Sequence, residues 1–163
     1  MKFDEWVASL PKDITGDSLW KMEAYRLALF TTEIGWHDVT ELMKDKRTTG
    51  IADQLYRALG SVSANLAEGY SQHTGKARAQ YYQYALGSAR EARDWYYKSH
   101  HILKDEVIQH RISFLTQIIK LLLTMVPHQR GKTLTLHEEK TSYNINQEVP
   151  LNIETLLEQI PLP

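Results

Sequence analysis

The residues best placed to do chemistry lie in the run SVSANLAEGY, Ser61 to Tyr70, where Asn65 and Glu68 interrupt small and apolar residues just before Gly69. On a helical wheel centred on Val62, Asn65 falls roughly 60° and Glu68 roughly 120° from the middle of the apolar stripe. Glu68 is therefore expected at the margin of the core. It also sits beside a helix C-terminus, where a carboxylate opposes the helix dipole by roughly 0.3–1 kcal/mol. An offsetting contact is predicted: Glu68 caps the unpaired N–H groups of the next helix near Gly75, Lys76 and Ala77, or pairs with Lys76.

A second carboxylate, Glu91, follows Gly87 and Ser88, small residues that permit close approach of two helices. If the helices on either side of residues 70–75 are antiparallel, Glu91 lies level with Gln54 to Arg57. A Glu91–Arg57 interhelical pair is then expected. Such a pair gives little net stability but is costly to break, so the polar set reads as structural rather than as a catalytic carboxylate pair.

Other chemistry finds less support. A two-metal site in a helical bundle needs Glu-x-x-His on two helices, and that motif is absent. Glu33 with His37 and Glu106 with His110 share the i, i+4 spacing, a pattern that arises easily among seven histidines. There is no glycine-rich phosphate loop and no nucleophile elbow. Ser61, Ser63 and Ser88 read as small packing residues. The expectation is thus no metal, no cofactor and no enzymatic activity.

A surface for a partner finds more support. Tyr84 and Tyr97 with Arg90, Arg93 and Lys98 could stack bases and contact phosphates, as single-strand binders do. Lys44, Lys46 and Arg47 add positive charge in a solvated connection. The competing reading packs the tyrosines at subunit interfaces with their hydroxyls wet. Tyr81 and Trp95 are assigned to the core.

The elements that must hold these residues are helices. Periodicity of three and four runs from about residue 18 to residue 127. A first helix, capped by Asp17 or Ser18, carries Trp20, Ala24, Leu27, Ala28 and Thr31 on one face, and Gly35 is expected to kink or end it. A second carries Ile51, Leu55, Ala58, Val62 and Leu66, closed by Gly69 as a left-handed cap. The third has heptad spacing through Tyr81, Ala85, Ser88, Ala92, Trp95, Ser99 and Ile102. The fourth, with Ile108, Ile112, Leu115, Ile119, Leu122 and Val126 broadened by Ile118, Leu121 and Met125, is buried on more than one side and stopped by Pro127.

Short connections between such helices predict an all-α, antiparallel up-down four-helix bundle over residues 18–127. Residues 1–17 form an N-terminal segment with an amphipathic turn around Phe3, Trp6, Val7 and Leu10. Residues 128–163 form a C-terminal extension outside the bundle, either docked or disordered. Its elements are a strand-like stretch over 132–137 and a last amphipathic helix capped by Asn152.

Composition agrees with one globular domain: 163 residues, 42% hydrophobic, 24% charged and no cysteine. The net charge of −1 conceals an asymmetry, with sixteen Lys/Arg against eleven Asp/Glu over residues 18–132 and one against five over 133–163. A basic body with an acidic tail is compatible with nucleic-acid binding. The acidic N-terminus lacks an apolar core of signal-peptide length, so a cytoplasmic location is expected.

Gln54-Leu55-Tyr56-Arg57-Ala58, Ser61-Val62, Asn65-Leu66-Ala67-Glu68-Gly69 and Gly87-Ser88-Ala89-Arg90-Glu91 together resemble the four-helix-bundle family known as the 23S rRNA intervening-sequence proteins. That family includes the accessory variability determinants of diversity-generating retroelements. The family's usual Phe-Pro and acidic segment between the first two helices is missing, and the 128–163 tail is an addition. The resemblance implies a homopentamer and a non-enzymatic scaffold or adaptor for a macromolecular partner. RNA, DNA or a reverse transcriptase would be such partners, with no membrane or small-molecule substrate. The alternative is a protein-only interaction module that uses the acidic C-terminal tail.

Overall fold

The computed structural model describes residues 2–131 and 152–163, and every regular element in them is helical. In chain order these are α1 (Phe3–Ser9), α2 (Lys12–Thr15), a 3-10 turn at Ser18–Lys21, α3 (Glu23–Leu42), α4 (Thr49–Tyr70), α5 (Gly75–Lys98), α6 (Asp105–Gln129) and α7 (Ile153–Glu158). Helices α3 to α6 run up, down, up and down, joined by short loops at residues 43–48, 71–74 and 99–104. The fold is the all-α four-helix bundle that the periodicity predicts.

Each long helix turns its periodic apolar face inward. Leu27, Ile34 and Leu42 of α3 meet Leu55, Leu59 and Leu66 of α4 and Phe114, Ile118 and Leu122 of α6 in one buried core. On α5 the buried line is Ala79, Tyr82, Ala85, Ala89, Ala92 and Tyr96. It lies one residue away from the expected stripe on either side of Ala85 and Ala92. Tyr81, Ser88 and Trp95, expected inside, are half-buried at the rim. Alanines let α5 lie close to α4 and α6, and the bulky alternatives turn outward where there is room.

Local punctuation departs from expectation at three places. Gly35 does not end α3 but is buried within it, where a Cβ would collide with the Leu59 side chain. Gly69 is helical rather than a left-handed cap, since the only glycine of positive φ among the described residues is Gly131. Its missing side chain instead admits the Tyr82 ring, which would lie 2.7 Å from a Cβ. Pro127 sits inside α6, which continues to Gln129. Its missing N–H leaves the Leu123 carbonyl without its helical partner, and the helix closes two residues later.

Both ends dock on the bundle. Trp6 of α1 is 3% exposed, wedged among Phe3, Trp20 and Phe30 with ring centroids 4.9–6.1 Å away. Asp17 caps the 3-10 turn, accepting from the Leu19 N–H at 2.8 Å. At the other end α7 follows Asn152, as expected, although the Asn152 amide donates to Glu154 rather than capping the helix. Leu156 is buried against α6. The strand-like 132–137 stretch lies outside the described residues.

Candidate functional site

The polar residues of SVSANLAEGY form a seam between α4 and α5. Ser88 donates to the Ser61 hydroxyl at 3.0 Å, and the Asn65 amide donates to the Ser61 carbonyl and hydroxyl at 2.8 and 3.0 Å. Ser61, Asn65 and Ser88 are thus brought together as a structural link. The expected charged contacts do not form. Glu68 is exposed, with no side-chain partner among the described residues, and Thr74 caps α5 instead by accepting from the Ala77 N–H. The one-turn loop lets Thr74 reach those N–H groups first. Glu91 accepts from Trp95 within its own helix at 3.2 Å, while Arg57 faces Asp53 at 3.9 Å. Those two side chains and Gln54 are exposed, so intrahelical neighbours replace the interhelical pair. Gly87 faces open space and does not mediate close approach within this chain.

The expected basic surface divides in two. Lys44, Lys46 and Arg47 follow α3, and Tyr97 and Lys98 end α5, so the up-down topology brings both sets to one end of the bundle. Much of that charge is offset locally: Lys44 pairs with Glu41, Arg47 with Asp45, and Lys98 with Asp94. The Arg47 fork holds the Asp45 carboxyl down at about 2. Arg90 is exposed farther along α5, and Arg93 donates to Thr116 of α6 at 3.3 Å.

The densest polar chemistry lies elsewhere, in residues that helical periodicity alone does not single out. Asp38 of α3 and Arg111 of α6 are both fully buried. Arg111 grips the Asp38 carboxylate with two N–H groups, Nε at 2.7 Å and Nη2 at 3.1 Å. Tyr96 of α5 donates to the same carboxylate at 2.7 Å. Burial and that adjacent negative charge push the Tyr96 hydroxyl well above its ordinary value, so it remains a donor. Three helices are thereby tied through one carboxylate, with the charge-assisted bonds that a buried ion needs.

The network continues outward to the C-terminal segment. Arg111 Nη1 donates to His110 Nδ1 at 2.8 Å, and His110 Nε2 donates to the Leu156 carbonyl at 2.7 Å. Arg111 Nη2 also donates to the Pro161 carbonyl at 3.0 Å. Since Nδ1 must accept from a guanidinium, the imidazole is neutral with its proton on Nε2. Desolvation, reinforced by the Arg111 charge, pulls His110 down to about 4. Both ring nitrogens are occupied, so the Glu106–His110 pair offers no imidazole nitrogen to a metal. Among the described residues no group of three or more acidic or histidine side chains is placed to hold a metal ion.

Beside His110 lies an open cleft of about 590 Å³ between α6 and the docked segment, bordered by Glu106, Gln109, Glu158 and Gln159. Its walls carry carboxylates and amides but, among the described residues, no nucleophile positioned against a base. No helix among the described residues is long and apolar enough to cross a membrane.

No curated protein and no solved structure shows significant similarity to the chain. The family model described as 23S rRNA-intervening sequence protein matches residues 21–124. That span takes in all of α3, α4 and α5, most of α6, the Ser61–Asn65–Ser88 seam and the Asp38–Tyr96–Arg111 network. The chain belongs to the 23S rRNA-intervening sequence protein family.

Proposed function

We propose that this protein is a cytoplasmic, non-enzymatic homo-oligomeric scaffold, a pentamer, which presents a macromolecular partner surface. The carrying observation is an apolar stripe on the outside of the bundle. Trp36 of α3 is 58% exposed and Met43, seven residues on and just past the end of α3, is 61% exposed, and Trp36 meets Tyr56 of α4 edge-on at 5.7 Å. We read these large apolar side chains, left in water on one flank of the bundle beside Tyr56, as part of a surface that another chain covers. Sedimentation velocity tests this directly: the wild type should sediment as an oligomer, and Trp36→Glu should shift it toward monomer without loss of helicity. A monomeric wild type overturns the scaffold reading.

Nucleic acid, or an enzyme that acts on it, is the partner this reading favours, because the Lys44, Lys46, Arg47, Tyr97 and Lys98 set gathers at one bundle end. Binding to RNA and to single- and double-stranded DNA should weaken steeply with salt if phosphates are contacted. A protein-only module is the second reading, supported by the carboxylates that pair with Lys44, Arg47 and Lys98. Absence of nucleic-acid binding at about 50 mM salt would favour it.

A further inference from the structure

We propose that residues 152–163 are a releasable internal ligand of the bundle, held in place by the neutral imidazole of His110. The segment is attached by a small number of separable contacts. One fully buried leucine, Leu156, anchors it with Ile153, Leu157 and Ile160 half-buried against the core, and two of its carbonyls, those of Leu156 and Pro161, accept from His110 and Arg111. Lys104 reaches the Leu162 carbonyl at 3.5 Å. Helix α7 has only six residues, too short to persist away from its docking site. Docking and folding of the segment are therefore one event.

The floor beneath the segment makes release feasible. Under Pro161 lies an ion pair, Asp38 with Arg111, whose hydrogen bonds to each other and to Tyr96 survive if the segment leaves. Water can replace a peptide carbonyl on an arginine, whereas it cannot replace the apolar side of a leucine core. The four long helices also share their core without the segment, so its departure leaves the bundle's own packing in place.

The latch follows from proton geometry. A proton added to His110 Nδ1 would turn an acceptor into a donor facing Arg111 Nη1 at 2.8 Å, opposing two positive charges. Asp38 of α3 would welcome the charge, but both of its oxygens already accept from Arg111 and Tyr96. Glu106 of α6 and Glu158 of α7 border the cleft and would receive an imidazolium that swings outward. That swing breaks the bond to the Leu156 carbonyl. Phe114, stacked on the ring at 5.9 Å, offers no alternative acceptor.

The test uses the full chain. Having no cysteine, it accepts a fluorophore at Leu162→Cys, a position 59% exposed. Dye anisotropy, far-ultraviolet circular dichroism and hydrogen exchange are followed from pH 7.5 to 4. Expected is a fall in anisotropy and at least a tenfold loss of protection at the Leu156 and Gln159 amides, with bundle helicity retained. Leu156→Asp should release the segment at every pH and define the free value. His110→Gln, a non-titrating donor, should stay docked and lose the pH response. Constant anisotropy down to pH 4, release only together with bundle unfolding, or an unchanged pH response in His110→Gln would each overturn the proposal.

Discussion

At the scale of single residues, stability concentrates in the Asp38–Arg111 pair. Both ions are fully buried and bidentately bonded, so removing one strands the other. Asp38→Asn or Arg111→Met is expected to cost about 3–5 kcal/mol in urea denaturation, with the double replacement by apolar residues of similar volume recovering much of it. The Tyr96 hydroxyl contributes less: Tyr96→Phe should cost about 1–3 kcal/mol, the loss of one bond to a charged acceptor. His110 sets the pH response. Its folded value of about 4 lies below the ordinary 6.5, so the folded chain binds fewer protons than the unfolded one between those values. Its contribution is complete above about pH 6.5 and lost as pH falls toward 4, to a limit of about 3 kcal/mol. Urea midpoints measured across that range should decline, and His110→Gln should flatten the decline.

At the scale of elements, close approach governs which small residues matter. Gly75 opens α5 where the Gln129 carbonyl at the end of α6 presses on it, and a Cβ there would collide with that backbone oxygen. Gly75→Ala should therefore destabilise by about 1–3 kcal/mol, as overpacking does. Gly60 and Gly87 face open space. Replacing either by alanine should raise stability by about 0.5–1 kcal/mol through helix propensity, read as an increase in melting temperature. Failure to stabilise would mark these positions as covered by a neighbouring chain. Trp6 is the corresponding anchor of α1, and Trp6→Ala should cost about 3–5 kcal/mol.

At the scale of the whole molecule, the bundle has its buried polar chemistry gathered toward one end. The up-down topology brings the C-termini of α3 and α5 and the N-terminus of α6 to the same end. There the Asp38 network, the docked C-terminal segment and the basic residues around Lys44 to Arg47 share a neighbourhood. If the pentamer forms, five such ends recur around a ring, and a partner binding several of them gains avidity that one chain lacks. A covalently linked pair of chains should then bind a long nucleic acid more tightly than a separated monomer, measured at fixed salt.

The set of helices, and the side each one buries, is already written in the order of the residues. Residues three and four apart share a face whatever the tertiary context, so Leu55, Val62 and Leu66, or Leu115, Ile119 and Leu122, announce their burial locally. Short loops fix that α4 and α5 are neighbours, but Ser61 and Ser88 read from spacing as small packing residues, and their hydroxyl bond appears only once the two helices are packed. Glu68 and Glu91 differ from their spacing because an exposed carboxylate can stay in water, as Glu68 does, or take a donor on its own helix, as Glu91 takes Trp95. The Asp38–Tyr96–Arg111–His110 network, by contrast, exists only once the chain has packed. Asp38 and Arg111 are 73 residues apart and His110 and Leu156 are 46 apart. An aspartate on α3 and an arginine on α6 look like ordinary surface charges until the packed helices, and a segment returning from the far end of the chain, exclude water from them.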